Sequence, residues 1–485
     1  MKSFYKLFLY FLILFNNNYC FGTIDSKIIE RAKKSSVLIN VRTSVSPYDQ
    51  TEEKKGTGFV IDKEKGIIVT NFHMTSQEGI GKYRITFFNG EQTEAKIFFY
   101  SLWQDFALLK IDPKKIPNDI VEIKFTKKKP LIGDNVFIVG NNESLGFSFH
   151  EGHISDLYLI SGFMPQQSYV VNLNAQGGSS GSPLLNSEGE ALGVNYGANS
   201  SSSAFVTLGS YVSDVIDSIN QSQPPVHKHV GIITNLYQLD DAVKHKKFPQ
   251  EIMVSYLKKW PDARNRVLIV NSIISGTKAE NLILPGDIIW SVNGKEVGPS
   301  LYSFDKALND SKDDNATISI YRFGKKLELK IPLYDVNKNK IKKMISLSGA
   351  TFFHSNDFIS RYSGIPIGKM ALVNVQQGSQ FSKIEQKIAP FHMVDYRLHP
   401  ISINSYQIST IEQLVKDIPN IIKEEYGTIY YKNYQMFFSS FDRAYLTGTS
   451  CYMQDLTFDK ITEAPRLYEF DEKELEWKGV NIEIK

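Results

Sequence analysis

Short apolar runs broken by turn residues fill the chain from about Thr23 to Asn220: SSVLINVRT, GTGFVID, GIIVTNF, YRITFFNGEQTEAKIFFY, DFALLKI, DNVFIVG, QSYVVNLNA and ALGVNYG. Runs of this length and spacing, with Asn89-Gly90 placed to turn a hairpin, predict an all-β barrel or sandwich. The period then changes. YVSDVIDSINQ carries apolar residues at 212, 215, 216 and 219 and reads as a helix. The polar, proline-bearing NQSQPP (220–225) that follows is a linker. Strands resume from Val230 to about Asp335, with a helix-like AVKHKK and a terminal pair, TISIYRF and KLELKIPL, joined across Gly324-Lys325. Four lysines within residues 338–343 predict a second, solvated linker. A third β/α segment runs to about Lys432, and an aromatic-rich tail follows. The expected units are a leader over 1–22, a β domain over 23–222, an α+β domain over 226–335, a third over 344–432 and a tail over 433–485.

The leader rests on Lys2 and Lys6 ahead of the apolar run Leu7 to Phe15 and the polar stretch NNNYCFG, the order of an export signal. That run is far short of the ~20 residues that a membrane-crossing helix needs. Cys20 and Gly22 stand where small residues precede a cleavage at Thr23, so the expected mature chain lies outside the cytoplasm, periplasmic or secreted, free or at the membrane periphery. Composition excludes several classes. With 485 residues, 42% hydrophobic and 22% charged, the chain is neither disordered nor a multi-span membrane protein. Lys+Arg of 55 against Asp+Glu of 52 leaves no basic field for nucleic acid. Of the two cysteines, Cys20 falls in the leader, leaving Cys451 as the mature thiol.

The chemistry concentrates in Gly177-Gly178-Ser179-Ser180-Gly181-Ser182-Pro183. Glycines around a serine let main-chain N–H groups and a hydroxyl converge, which is how an oxyanion hole is made. The hydroxyl needs a histidine base that is itself oriented by a carboxylate. Upstream histidines are His73, His150 and His153; His73 ends the apolar strand GIIVTNFH, whereas the other two read as loop residues. Asp105 opens the strand DFALLKI. The order His, Asp, Ser is that of a chymotrypsin-like barrel. An α/β-hydrolase would need strand–helix alternation around Ser180, which the short β runs lack.

These blocks, GTGFVID…GIIVTNFH, DFALLKI, GDNVFIVGN, EGHIS and GGSSGSPLLNSEGEALGVN, resemble in order those of the HtrA/Deg family of trypsin-like serine proteases. The resemblance implies a mainly β fold, a double β-barrel followed by two PDZ-like α+β domains, with His73 as general base, Asp105 as orienting carboxylate and Ser180 as nucleophile. It also implies an oxyanion hole from the N–H groups of Gly178 and Ser180, no cofactor, unfolded or damaged proteins as substrates, and a trimer or larger homo-oligomer. The chain departs at Ser179, where most members carry Asn, and at Ser182, where most carry Gly. The GGSSGSP form, SGATFFHSND and FDRAY are similar to blocks of a fungal nuclear branch. A non-proteolytic chaperone or scaffold on the same fold is the alternative.

Val267 to Val297 resembles a PDZ core, with Pro285-Gly286-Asp287 as its turn and Asn293-Gly294 as its hairpin. Such domains add a peptide C-terminus as a strand and hold its carboxylate on backbone N–H groups. The matching loop is His229-Val230-Gly231-Ile232, so Val230, Gly231 and Ile232 are the expected peptide-binding residues. In the third segment Ala389-Pro390-Phe391-His392 replaces the proline-glycine-aspartate turn, which marks a degenerate copy. His227 and His229 lack a third ligand, so no metal is expected.

Overall fold

The computed structural model describes residues 24–47, 53–160, 164–199, 201–373, 379, 381, 398–424, 426–438, 444–458 and 464–484. The expected leader, Cys20, Phe441 to Arg443 of the FDRAY block and the Ala389 to His392 turn lie outside them. No helix among the described residues is long and apolar enough to cross a membrane.

Six strands, β1 (Ser36–Val45), β2 (Glu53–Asp62), β3 (Ile67–Thr70), β4 (Ile80–Phe87), β5 (Gln92–Tyr100) and β6 (Ala107–Lys110), close a barrel in the order β1-β2-β3-β6-β5-β4. Alternation decides what they bury: Val37, Ile39 and Val41 of β1 point inward with Val60, Ile68, Ile85, Phe87 and Leu109. A second barrel repeats the plan with β7 (Asn135–Asn142), β8 (Leu145–Ile160), β9 (Gln167–Asn172), β10 (Pro183–Asn186), β11 (Ala191–Ala198) and β12 (Ser203–Leu208). Two details differ from expectation. His150 and His153 belong to strand β8 rather than a loop, His153 standing opposite Asn135 and Asn172. A helix, α1 (Ser26–Ser35), precedes β1; Asp25 caps it by accepting from Lys27 N–H, and Ala32 and Ile28 pack into the core of the second barrel.

Helix α2 (Gly209–Asn220) closes this part, where the sequence placed it. Beyond it, strand β13 (Lys228–His229) pairs with the later β20 (Tyr334–Asp335). The main sheet runs β14 (Ile232–Gln238), β15 (Arg266–Ile273), β16 (Ile288–Val292), β18 (Asn315–Arg322) and β19 (Lys325–Pro332), with β17 (Lys295–Glu296) paired to β16. Its helices are α3 (Leu239–Lys246), α4 (Gln250–Lys259) and α5 (Leu301–Asn309). The sequence reading foresaw α3 but not α4, which buries only Tyr256 and so shows little periodicity.

The last part corrects the boundary at 432/433. Strand β26 (Tyr426–Phe438) runs through it and pairs along its length with β27 (Ala444–Thr457). Strand β28 (Arg466–Asp471) pairs with β21 (Lys343–Leu347), Ile345 opposite Leu467, inside the sheet β23 (Met370–Val373), β22 (Ala350–His354), β21, β28 and β29 (Glu476–Asn481). A second sheet joins β25 (Tyr406–Gln407), β24 (His399–Ile403), β26 and β27. Helix α7 (Ile411–Lys423) buries Ile411, Leu414, Ile418 and Ile421 against these strands. The residues read as a tail therefore complete the third unit's sheets. Nor is the lysine segment wholly solvated: Lys340 lies with its ammonium 4.0 and 4.2 Å from the ring centres of Phe99 and Tyr100. Burial pulls its pKa down to about 7. Lys129 donates to Tyr158 Oη and Asp262 Oδ2 at 2.8 and 2.7 Å.

One apolar cluster spans all three units. Phe72, Leu102 and Trp103 from the first barrel meet Ile233 and Ile274 from the middle sheet and Phe353, Phe358 and Ile359 from the third unit, the last two on α6 (Asp357–Ser363).

Candidate active site

Strand ends carry the expected residues. Thr70, the last of β3, donates its hydroxyl to Thr57 O at 2.8 Å, and Asn71 Nδ2 donates to Asp105 O at 2.8 Å. The chain then presents His73, whose N–H donates to Asp105 Oδ1 at 2.9 Å while its Nδ1 lies 2.6 Å from Asp105 Oδ2. Asp105 is fully buried, and the His73 side chain is 23% exposed. A carboxylate on Nδ1 fixes the tautomer that leaves Nε2 as the basic face.

Asp105 is held in turn by Gln166, whose Oε1 accepts from Asp105 N–H at 2.7 Å and from the Thr207 hydroxyl at 3.2 Å. The next residue, Gln167, accepts from the Ser300 hydroxyl at 2.9 Å and Tyr302 N–H at 3.1 Å at the start of α5.

Ser180 lies in the turn between β9 and β10. Its carbonyl accepts from Thr57 N–H at 2.8 Å, and the Thr57 hydroxyl donates to Gly178 O at 2.9 Å, which ties the serine loop to the first barrel. Gly56 marks how close the two halves come: a Cβ there would stand 2.6 Å from Met74 Cε and 3.1 Å from Ser180 O. The glycines flanking the serines are required. Gly178 and Gly181 have φ of +94° and +88°, and a Cβ on them would meet Asn141 O at 2.1 Å and Thr57 O at 1.9 Å. Within the turn the N–H groups of Ser179, Gly181 and Ser182 donate to Gln176 O, Asn195 O and Ser179 O. Among the described residues those of Gly178 and Ser180 donate to no backbone carbonyl. These are the two donors the sequence reading assigned to the oxyanion hole.

The adjacent serines have different surroundings. Ser179 is 3% exposed; its hydroxyl donates to Gln176 O at 2.6 Å and accepts from Asn195 Nδ2 at 3.1 Å. The Ser180 hydroxyl lies 3.5 Å from Tyr196 O, beside the β11 segment Tyr196–Ala198. Across from it Gly197 pairs with Phe205, whose ring centre is 6.2 Å from that of Tyr196.

The third unit reaches both loops of the His–Asp pair, which the sequence did not reveal. Asn356 Nδ2 donates at 2.6 Å to Glu78, a buried carboxylate on the loop after His73 that also accepts from Tyr100 Oη and Ile341 N–H at 2.9 and 2.8 Å. Asp357 accepts from Trp103 Nε1 at 3.3 Å, from Asn339 Nδ2 at 2.8 Å and from Tyr334 Oη. Burial raises the Asp357 pKa, against the lowering effect of these donors. The available signal was the block SGATFFHSND, which ends in these two residues.

The expected peptide loop is enclosed. Val230 and Ile232 are fully buried, Gly231 N–H donates to His229 Nδ1 at 3.0 Å, and Gly231 O accepts from Ile274 N–H at 2.8 Å. His229 packs on Trp103 at 3.8 Å between ring centres, and Ile160 of β8 joins the apolar core behind the loop. Burial pulls the His227 pKa down to about 4 and that of His229 well below the usual range, so both rings are neutral there.

Comparison with known proteins agrees with this architecture. A trypsin-like peptidase domain matches residues 56–194, and a PDZ domain matches residues 241–333. The chain is 34% identical over 192 residues to the uncharacterized protein RP187 of Rickettsia prowazekii, covering 39% of this chain and 99% of that protein. It is 25% identical over 405 residues to the pro-apoptotic serine protease NMA111 of Debaryomyces hansenii, covering 81% of this chain and 40% of that protein. This chain thus spans about 40% of the length of that fungal relative. Superposition on the HtrA-type protease AlgW with tripeptide covers 64% of this chain and 96% of that one, at 18% identity and a TM-score of 0.47. The fold and the order of the matches define a trypsin-like peptidase joined to a PDZ domain. The chain is a serine endopeptidase of this trypsin-like, PDZ-bearing type, with similarity to the fungal NMA111 proteases.

Proposed function

We propose that this chain hydrolyses peptide bonds of unfolded or damaged proteins through His73, Asp105 and Ser180. The observation that carries the reading is the doubly bonded His73–Asp105 pair, at 2.9 and 2.6 Å, together with a glycine turn that Thr57 ties to the same barrel and whose Gly178 and Ser180 N–H groups are kept out of the backbone network. In this reaction Ser180 Oγ attacks the carbonyl carbon as its proton passes to His73 Nε2. The imidazolium, steadied by Asp105, returns that proton to the leaving amine, and water then releases the acyl group by the same route. The developing oxyanion accepts from the two N–H groups. Residues 191–205, one wall of the P1 pocket, contain no Asp or Glu to select Lys or Arg, and Phe205 opposite Gly197 favours small apolar side chains. Degradation of casein by the chain from Thr23 onward, beside its Ser180→Ala variant, tests the reaction; equal rates would refute it.

Recognition of peptide C-termini belongs to the same reading, through Val230, Gly231 and Ile232. Because Gly231 N–H is engaged by His229, a peptide carboxylate has to displace that ring to reach it. Hydrophobic peptides with a free C-terminus should bind more tightly than their amidated forms, since the donors select a negative charge. Isothermal titration that finds acid and amide equal would count against this.

Export is the third element, supported by Lys2, Lys6 and the apolar run Leu7 to Phe15. The mature chain should begin near Thr23 and sit outside the cytoplasm. Recovery of Met1 by N-terminal sequencing of cytoplasmic material would overturn it.

A further inference from the structure

Strands β18 and β19 are joined by Phe323-Gly324, at φ of +47° and +79°. Such two-residue turns favour Asn-Gly or Gly-Gly, because both positions lie in the left-handed region, and a bulky residue is disfavoured there. Phe323 is nevertheless present, 73% exposed. Neither turn geometry nor core packing accounts for it.

Its surroundings are apolar and basic. Leu282 and Leu284 are 39% and 46% exposed. They share one platform with the turn: Arg322 binds Asp287 at 2.7 and 2.6 Å, Arg322 Nη2 lies 3.5 Å from Leu282 O, and Leu284 N–H donates to Asp287 Oδ2 at 2.8 Å. The end of α3 borders it, since a Cβ on Gly324 would stand 2.3 Å from Lys247 O and one on Gly286 2.9 Å from Lys246 Nζ. Lys244, Lys247, Lys278, Lys325 and Lys326 are exposed on these same segments, against three exposed acids, Asp240 on α3, Glu280 and Glu328 on β19. Arg322 neutralises Asp287.

We propose that this end of the middle domain, Phe323 with Leu282 and Leu284, docks on an anionic lipid bilayer. An aromatic ring and two leucines suit the boundary between headgroups and acyl chains, and long lysines can reach anionic headgroups while their stems lie along the apolar patch. A protein partner fits less well: stable protein interfaces bury roughly 800 Å² on each side, more than one hairpin tip and two leucines present.

The test is co-sedimentation of the chain from Thr23 onward, which keeps every described element, with vesicles of phosphatidylcholine alone or containing about one third phosphatidylglycerol. Binding is expected only to the anionic vesicles and should weaken with salt. Phe323→Asn separates docking from folding, because Asn suits the left-handed turn and should leave the Tm unchanged or raised. It should nonetheless weaken vesicle binding about tenfold, as should Lys325→Glu with Lys326→Glu, while cleavage of a soluble peptide is unchanged. Absence of binding to anionic vesicles at low salt overturns the proposal, and so does wild-type binding by Phe323→Asn.

Discussion

Ser180→Ala should abolish both casein cleavage and labelling by a fluorophosphonate probe, whereas Ser179→Ala should keep both. Loss of the nucleophile costs on the order of 10⁴ to 10⁶ in rate in serine proteases, because the rest of the relay has nothing left to activate. The two serines differ in what holds them. The Ser179 hydroxyl is enclosed between Gln176 O and Asn195 Nδ2, while that of Ser180 lies beside the Tyr196 carbonyl. Removing the Ser179 hydroxyl deletes two neutral hydrogen bonds within the turn, each contributing about 1 kcal/mol. Asn195 Nδ2 still donates to Ser179 O at 3.1 Å, so the turn keeps a tether and a loss of roughly tenfold is expected. If labelling survives in Ser180→Ala and vanishes in Ser179→Ala, the nucleophile is one residue off; if it survives in both, this turn is not the active site.

How far the site was legible follows from the range of the interactions involved. His73, Asp105 and the glycine turn each sit in a short block whose residue types are dictated locally, by a strand end or by positive φ, so spacing and order were enough to mark them as candidates. Gln166 could not be read in this way. Its effect on Asp105 crosses from the second barrel to the first, and a glutamine before a strand carries no signal of that contact. Helix α4 escaped notice because only Tyr256 is buried along it. The division at 432/433 failed for the opposite reason. Strands β28 and β29 look like isolated aromatic runs until β28 pairs with β21, more than a hundred residues earlier in the chain. Lysine-rich residues 338–343 follow a pattern that normally means solvent, and only the tertiary fold brings Lys340 onto Phe99 and Tyr100.

Asn356→Leu and Trp103→Phe should each lower kcat ten- to a hundredfold with little change in KM, although neither residue belongs to the proposed triad. Asn356 donates to Glu78 on the loop that follows His73, and Trp103 lies two residues before Asp105 and donates to Asp357. The third unit therefore holds both loops that bring the His–Asp pair together, and it does so through buried carboxylates, for which the loss of a donor is costly. A hydrogen bond to a charged group contributes about 1.5–3 kcal/mol, and tenfold in rate corresponds to about 1.4 kcal/mol, which sets the expected range. Leu matches Asn in size without its donor, and Phe keeps one aromatic ring at position 103 without Nε1, so most of the packing is preserved. The loss should appear in kcat because misplaced His73 and Asp105 impair proton transfer more than substrate binding. Titration of active sites with a fluorophosphonate distinguishes positioning from unfolding. Positioning leaves the titratable fraction near that of the wild type while each site turns over slowly; a merely structural role lowers the titratable fraction and leaves turnover per titrated site unchanged. The second result, or wild-type kcat in both variants, would reduce the Asn356 and Asp357 contacts to domain packing.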